Sequence, residues 1–279
     1  MSTREPVFVI GNPRSGTTLL RLMLTCHPAI CIPPEAGFAL WLEPDYADWQ
    51  KNDSRLPAFI QALFDSRKFE TWELDRDSLT EDILRKAPAS YAALVDCIYA
   101  HYASHHKPDW KLWGDKNNFY LAHITRIHRL FPGARFVHII RDPRDVACSY
   151  LELRDSNDGS DYRPRLPVEI GQVAEEWLEN IKQIESGLAA VTSNQTHCLR
   201  FEDLVSQPAD TLIALCEFLG ESFDPLMLNY HKENAALQLE PSDFLSWKRL
   251  TLSPPQTSRA GRFREDLDKE SAKLIVSLT

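Results

Sequence analysis

The fold is decided near the start of the chain, by the stretch Val7-Phe8-Val9-Ile10-Gly11-Asn12-Pro13-Arg14-Ser15-Gly16-Thr17-Thr18-Leu19-Leu20-Arg21-Leu22. A short apolar, largely β-branched run ends at a glycine, and an apolar helical pattern follows a tight loop. This order predicts a strand, a phosphate loop and a helix whose N-terminus, with the loop amides, binds a phosphate group. The glycine spacing fits the Walker A pattern, but Thr17 stands where that pattern requires lysine, and the cation comes earlier, at Arg14. The loop therefore differs from that of a triphosphate-binding protein.

Predicted strands and helices alternate along the chain. The strands are expected at residues 6–10, 29–32, 110–113, 135–140 and 197–201. This alternation predicts an α/β protein with three layers, in which helices flank a central, mainly parallel sheet as in P-loop proteins. We expect a single domain over residues 1–279 with a helical insertion at about 36–108, in which Ser78-Leu79-Thr80-Glu81 fits a capping box. Further helices are predicted at about 119–131, from Pro143 after the N-cap Asp142, at 168–191, at 208–219 and from about 265, and a loop at 155–167 that contains Gly159.

Polar residues follow four of the predicted strands. They are residues 11–18, Glu35, the pair Asp115-Lys116, and Arg141. Ligands of parallel α/β sheets bind at the carboxyl ends of the strands, so these residues are expected to converge on one site.

Composition limits the partners of the chain. Its 279 residues carry 31 basic and 40 acidic side chains, a net charge of −9. This balance argues against nucleic acid and against an anionic membrane as the main partner. No segment approaches the roughly 18 apolar residues of a membrane span, and residues 1–6 lack the features of a signal peptide. The six cysteines form no C-x-x-C pair, which is typical of reduced thiols in a cytoplasmic protein.

Two segments carry a resemblance to a known family. Pro13-Arg14-Ser15-Gly16-Thr17-Thr18 resembles the 5′-phosphosulfate loop of sulfotransferases that use 3′-phosphoadenosine 5′-phosphosulfate (PAPS). Residues 135–150, with Arg141 and Ser149 eight residues apart, resemble the 3′-phosphate motif of the same family. The loop, continued through His27-Pro28 to Glu35, is more similar to the tyrosylprotein-type and bacterial branch than to the cytosolic small-molecule branch. The resemblance implies one sulfotransferase domain that transfers a sulfuryl group from PAPS to a hydroxyl acceptor by in-line displacement, without a metal.

The resemblance also implies site residues. Glu35 would be the catalytic base, and Arg14 and Lys116 would stabilise charge at the transition state. The residues implied to bind PAPS are Arg14, Ser15, Gly16, Thr17, Thr18, Arg141, Ser149 and Arg262, the last as a second 3′-phosphate contact. An apolar environment would raise the pKa of Glu35 toward a value suited to a base.

Other interpretations remain open from the sequence. The loop alone is also compatible with a P-loop kinase or NTPase-like enzyme, or with a non-catalytic nucleotide-binding protein. Glu35 could be a solvated loop acid and Lys116 a surface lysine. The histidines 101, 105 and 106 have helical spacing that could bind zinc, but no carboxylate pattern accompanies them. His138 is interpreted as a core histidine with its hydrogen bonds satisfied.

The acceptor is not identified by the sequence. Residues 41–82 are aromatic-rich and contain 11 acidic and 5 basic side chains. If this segment covers the acceptor, its charge disfavours a highly anionic glycan and favours an apolar, neutral or basic acceptor.

Overall fold

The computed structural model describes residues 5–155 and 162–279, except for the side chain of Asp155. Within these ranges, five strands form one sheet: β1 (Val7–Ile10), β2 (Ile30–Cys31), β3 (Leu112–Lys116), β4 (Arg135–Ile140) and β5 (Thr196–Arg200). Their order is β2-β3-β1-β4-β5, and every neighbouring pair is parallel. The predicted α/β fold with a central parallel sheet is confirmed.

Helices connect the strands and cover the sheet. In chain order they are α1 (Thr17–Thr25), α2 (Phe38–Trp41), α3 (Glu43–Tyr46), α4 (Leu56–Phe64), α5 (Arg76–Lys86), α6 (Tyr91–His106), α7 (Ile124–Leu130), α8 (Pro143–Asp155), α9 (Ile170–Leu188), α10 (Phe201–Ser206), α11 (Pro208–Leu219), α12 (Tyr230–Leu237), α13 (Leu245–Lys248), α14 (Phe263–Asp266) and α15 (Lys269–Leu278). Short 3-10 helices add Phe69–Trp72, Asn118–Ala122, Ser193–Gln195, Pro225–Asn229, Ser242–Phe244, Arg249–Leu252 and Thr257–Arg259. Helices α2 to α6 lie between β2 and β3 and occupy the expected insertion; its description as part of a single domain stays a prediction.

The central strand β1 shows why three layers form. Its side chains alternate, because successive residues of a strand point to opposite faces. Phe8 and Ile10 belong to a core with residues of the insertion, such as Tyr99. Val7 and Val9 belong to a second core that contains residues of α1 and α11. Both faces of the sheet are therefore covered by helices, as a parallel sheet requires.

Local signals set several boundaries correctly. Helix α8 begins at Pro143, and the Asp142 carboxylate accepts a hydrogen bond from the backbone N–H of Arg144 at 2.9 Å. The capping-box prediction is wrong, because the N-cap of α5 is Asp75, which accepts from the N–H of Ser78 at 2.8 Å. The helix predicted at 119–131 is interrupted at His123, where φ is −127°.

Part of the predicted loop at 155–167 cannot be compared. Residues 156–161, including Gly159, and residues 1–4 lie outside the described residues, whereas 163–168 have no regular secondary structure. Within the two described ranges, no helix has both the length and the apolar character that a membrane crossing needs.

Candidate active site

Two residues of the loop between β1 and α1, Gly16 and Arg14, have a left-handed backbone with positive φ. Gly16 has φ of 96°, and a Cβ at this position would lie 2.5 Å from Cδ2 of Phe201. Gly11 packs against β4, since its Cβ would lie 2.6 Å from the carbonyl oxygen of Ile139. Arg14 also has a positive φ, 67°. The glycine pattern thus reflects close packing of the loop against two strand ends.

A cavity of about 670 Å³ opens beside this loop. Its lining includes Thr17 from the segment after β1, Glu35 after β2, Lys116 at the end of β3, Arg141 after β4 and Phe201 after β5. The sequence-predicted strand ends therefore do meet at one site, because all five strands are parallel.

The cavity is basic although the chain is acidic. Among the described residues, one acidic side chain lines it, that of Glu35. The basic lining residues are Arg14, Arg67, Lys68, Lys116, Arg141, Arg163, Arg165, Lys248 and Arg259. Such a local excess of positive charge is suited to a polyanionic ligand.

Arg14 joins the two halves of the predicted nucleotide site. Its Nε donates to Oγ of Ser149 at 3.1 Å, and its Nη2 donates to the carbonyl oxygen of Trp247 at 3.3 Å. Ser149 is 2% exposed and also lines the cavity. The loop and the segment after β4 are therefore in direct contact.

Arg141 is buried beside the loop. It donates to the carbonyl oxygens of Arg14 at 2.9 Å and Arg259 at 2.7 Å, and its guanidinium lies 4.2 Å from the ring centroid of Phe201. Burial lowers the pKa of Arg141 to about 10, so it remains a cation at neutral pH. Its Nε and the Oγ of Ser15 have no hydrogen-bond partner among the described residues. Unpartnered polar atoms at this place, with a loop that leaves no room for a Cβ at Gly16, fit a phosphate-bearing ligand.

Asn12 anchors the loop from behind. Its Nδ2 donates to the hydroxyl of Tyr150 at 3.2 Å, and its Oδ1 accepts from Nδ2 of Asn180 at 2.8 Å. Tyr150 donates in turn to Glu176 at 2.8 Å. This network fixes the loop to α8 and α9.

Glu35 is paired with two lysines. Oε1 accepts from Nζ of Lys116, and Oε2 accepts from Nζ of Lys68 at 2.8 Å. Its side chain is 11% exposed, so it is not a solvated loop acid. Burial raises the pKa of Glu35, but the charges of Lys116, Lys248 and Lys68 lower it by more, to well below the usual value. The expectation of a raised pKa is wrong because lysines, not apolar groups alone, surround this carboxylate.

Lys116 is not a surface lysine. Its side chain is 1% exposed and lies at the carboxyl end of β3. Burial lowers its pKa to about 8, although the adjacent Glu35 acts in the opposite direction. The ammonium group is therefore close to its titration range near neutral pH.

The predicted donor-binding residues do not all lie in the wall of the cavity. Thr18 lines the cavity with Arg14, Gly16 and Thr17, whereas Ser15 is fully buried and does not belong to the lining. Arg262 lies outside the lining, and its guanidinium is paired with Asp266 and with Glu152, the latter at 2.7 Å. Its role as a phosphate contact stays a prediction. The lining residue at that end is Arg259, which precedes it by three residues in the same loop.

Sequence reasoning missed Lys68 and Lys248. Lys68 lies in the acidic segment 41–82, where nothing in the local pattern distinguishes it. Lys248 lies in a region with weak secondary-structure signals. Only the folded chain brings both to Glu35.

The three histidines whose spacing could bind zinc lie on α6. These ranges contain no group of three or more histidine, cysteine, aspartate or glutamate side chains that could hold a metal ion. His101 instead contacts Asp82, with Nδ1 to Oδ2 at 3.3 Å.

Fold and site together define an α/β protein of the P-loop type, in which a basic cavity lies beside a phosphate loop without a Walker lysine. The profile of the Sulfotransferase family matches residues 6–225, and the chain belongs to this family. The match covers both segments on which the resemblance rested.

Relatives agree with this assignment. Protein-tyrosine sulfotransferase 2 of Gallus gallus is 28% identical over 230 residues, which are 81% of this chain and 54% of that protein. The chain thus spans about half the length of this curated relative. The sulfotransferase domain from the Synechococcus PCC 7002 olefin synthase has a TM-score of 0.63 at 22% identity, covering 99% of this chain and 96% of that chain. Mouse sulfotransferase SULT7A1 complexed with PAP has a TM-score of 0.52 at 11% identity, covering 98% and 82%. At these identities the two structures show a shared fold.

Proposed function

We propose that the protein transfers a sulfuryl group from PAPS to a hydroxyl acceptor. The contact between Arg14 and Ser149 carries this proposal. It joins a phosphate loop that lacks the Walker lysine to the segment that resembles a 3′-phosphate motif, as expected for a nucleotide with phosphates at both positions. Kinases and NTPases rely on that lysine and on Mg²⁺. The many basic side chains that line the cavity suit a polyanionic nucleotide donor.

Different residues of this chain would bind the 5′-phosphate and the 3′-phosphate of the donor. The backbone amides of residues 15–18 and the hydroxyls of Thr17 and Thr18 would hold the 5′-phosphate at the N-terminus of α1. Arg141 and Ser149 would hold the 3′-phosphate, with an arginine fork assisted by a hydroxyl. Arg259, which lines the cavity next to Arg141, is a better candidate than Arg262 for a further contact.

The transfer step needs a base and cations. One S–O bond, to the 5′-phosphate oxygen, breaks as another forms to the acceptor oxygen, and 3′-phosphoadenosine 5′-phosphate (PAP) leaves. Arg14 and Lys116 would stabilise charge on the transferring group and the leaving oxygen. Glu35 would take the acceptor proton. Lysines contact both carboxylate oxygens of Glu35 in this structure, so one oxygen must become free to accept the proton. The negative charge of the bound donor would attract Lys116 and thereby free Oε1.

The acceptor class stays at the level of a hydroxyl. None of the acidic residues of the segment 41–82 lines the cavity among the described residues, whereas Arg67 and Lys68 from that segment do. The charge argument against a highly anionic glycan therefore has no structural support. The chicken relative is named for protein tyrosine, so tyrosine peptides belong in any acceptor panel.

Calorimetry tests the donor. PAP should bind with equal affinity in EDTA and in Mg²⁺, and ATP should bind much more weakly in both. Mg²⁺-dependent ATP binding without PAP binding would instead support the kinase or NTPase-like alternative.

Transfer of label from PAPS to a panel of phenols, alcohols, sugars and tyrosine peptides tests the reaction. Labelled product is expected with at least one hydroxyl class. Tight PAP binding without transfer to any acceptor or to water would support a non-catalytic nucleotide-binding protein.

A further inference from the structure

Three charged side chains form a buried chain of ion pairs beside the cavity. Arg21 of α1 contacts Glu240, with Nη2 to Oε2 at 2.6 Å, and Lys248 of α13 contacts the other oxygen of the same carboxylate. The exposed fractions of the three side chains are 1%, 2% and 10%. Glu240 and Lys248 lie outside the sequence motifs described above, and Arg21 belongs to the opening stretch without a role assigned to it.

Further hydrogen bonds hold Arg21 and the backbone of Glu240 in place. Arg21 also donates to the carbonyl oxygens of Ile32 at 3.1 Å and Leu239 at 2.8 Å. The N–H of Glu240 donates to Oδ1 of Asn234 at 2.7 Å. The position of the Glu240 carboxylate is therefore set by α1 and α12, and Lys248 is set by Glu240.

Stability alone is a poor reason for this arrangement. Removing charged groups from water costs about as much free energy as their mutual attraction returns, so apolar residues of similar size often stabilise a protein equally well. An arrangement of two cations and one anion leaves a net positive charge, and that charge is presented to the cavity by Lys248.

Lys248 belongs to the wall of the cavity in which we propose that the transfer occurs. It lines the cavity together with Glu35 and Lys116. Its charge contributes to the low pKa of Glu35 and to the lowered pKa of Lys116. The preceding residue, Trp247, accepts a hydrogen bond from Arg14. Lys248 therefore shares one cavity with the phosphate loop and with Glu35.

We propose that Lys248 is a further ammonium group that contacts the sulfuryl oxygens of the donor, and that Glu240, held by Arg21, positions it. This inference rests on the proposed function. Lys248 touches the transferred group and is therefore a catalytic residue, whereas Glu240 acts through Lys248 and is a positioning residue.

Comparison of PAPS with PAP isolates the sulfuryl group. In calorimetry at constant ionic strength, Lys248→Met should weaken PAPS binding about tenfold or more, the usual effect of losing a hydrogen bond to a charged group, while PAP binding changes less than about twofold. Lys248→Arg, which keeps the charge, should recover most of the PAPS affinity. Lys111→Met is the matched control, because Lys111 precedes β3 at the end away from the cavity and its side chain is 66% exposed.

Glu240→Gln tests the positioning role. The amide does not hold the ammonium as a carboxylate does, so PAPS affinity should fall more than PAP affinity, by a smaller factor than in Lys248→Met. A purely structural role would weaken both ligands equally, and unfolding curves measured in parallel report the loss of stability separately.

The binding measurements distinguish failure of this inference from failure of the proposed function. Equal effects of Lys248→Met on PAPS and PAP, or no effect on either, would overturn the inference and leave the proposed function standing. A wild-type protein that binds neither ligand would overturn the proposed function and this inference with it.

Discussion

Nε of Arg14 donates a hydrogen bond to Oγ of Ser149 at 3.1 Å, across 135 positions of sequence. Arg14 follows β1 and Ser149 lies on α8 after β4, and these two strands are neighbours in the sheet. Arg14 has a left-handed backbone at this contact, with φ of 67°. It unites the two motifs that sequence inspection could only list side by side.

Arg141→Ala should act on nucleotide binding. The substitution removes a buried cation with an unpartnered Nε beside the loop, so PAP affinity should fall about tenfold or more, the scale of a lost charge-assisted hydrogen bond. Calorimetry with PAP measures this effect. A variant with normal PAP affinity and a defect only in turnover would contradict the assignment.

Glu35→Gln should act on turnover. A general base contributes about a hundredfold to ten-thousandfold, and the amide cannot accept the acceptor proton. PAP affinity should change little, because Glu35 is assigned to the acceptor side. The exposed Glu81→Gln on α5 is the control. Undiminished label transfer by Glu35→Gln would identify another residue as the base.

Turnover should fall on the alkaline side near pH 8. Lys116 is assigned as a cation at the transition state, and burial lowers its pKa to about 8, so the active form is lost as pH rises through this value. The pKa of Glu35 lies well below the usual value, so no acid limb should occur near neutral pH. The pH profile of kcat/KM, which reports groups of the free enzyme, measures both statements.

Lys116→Arg supplies the control for that profile. The guanidinium remains charged far above pH 8, so the alkaline limb should move to higher pH even if the rate is lower. An alkaline limb that stays near pH 8 in this variant would belong to a different group.

Gly16→Ala should disrupt the loop. The added methyl would meet Phe201 at 2.5 Å on a backbone with φ of 96°, so the loop must shift and PAP binding should weaken at least tenfold, about the effect of one lost charged contact. Gly171→Ala on α9 is the matched control, because a Cβ there meets nothing within 4 Å. That substitution should leave PAP binding unchanged and stabilise the helix by up to about 1 kcal/mol. Equal PAP affinity in both variants would contradict the close packing of the loop.

His138 should make the fold acid-sensitive. Burial lowers its pKa to about 4, against 6.5 in the unfolded chain, so the unfolded state binds more protons between these values. The resulting stability is present above pH 6.5 and is lost as pH falls toward 4, with a total of about 3 kcal/mol. The difference between the wild-type and His138→Phe unfolding free energies, measured from pH 7 to 4, should change by this amount. A flat difference would show that His138 does not titrate in this range.

Local sequence determined the elements that short-range chemistry controls. Buried strands, the glycine loop and the Asp142-Pro143 helix start were predictable, because apolar periodicity and capping act over a few residues. The predicted start of α5 was wrong. Asp75 and Ser78 are both residue types that favour the N-cap, and the local pattern does not decide at which of them the helix begins. His138 is in the core, but its Nε2 has no partner among the described residues, which a strand pattern cannot reveal.

The sequence by itself determined the family and predicted the residues that we assign to the donor, because a phosphate loop and residues at a fixed spacing after a strand are local patterns. The tertiary structure decided the electrostatics around Glu35. Lys68 and Lys248 come from distant, weakly patterned segments, and their charges combine only where parallel strand ends and the insertion meet. Coulombic interactions depend on distance in space, and no spacing along the chain encodes them.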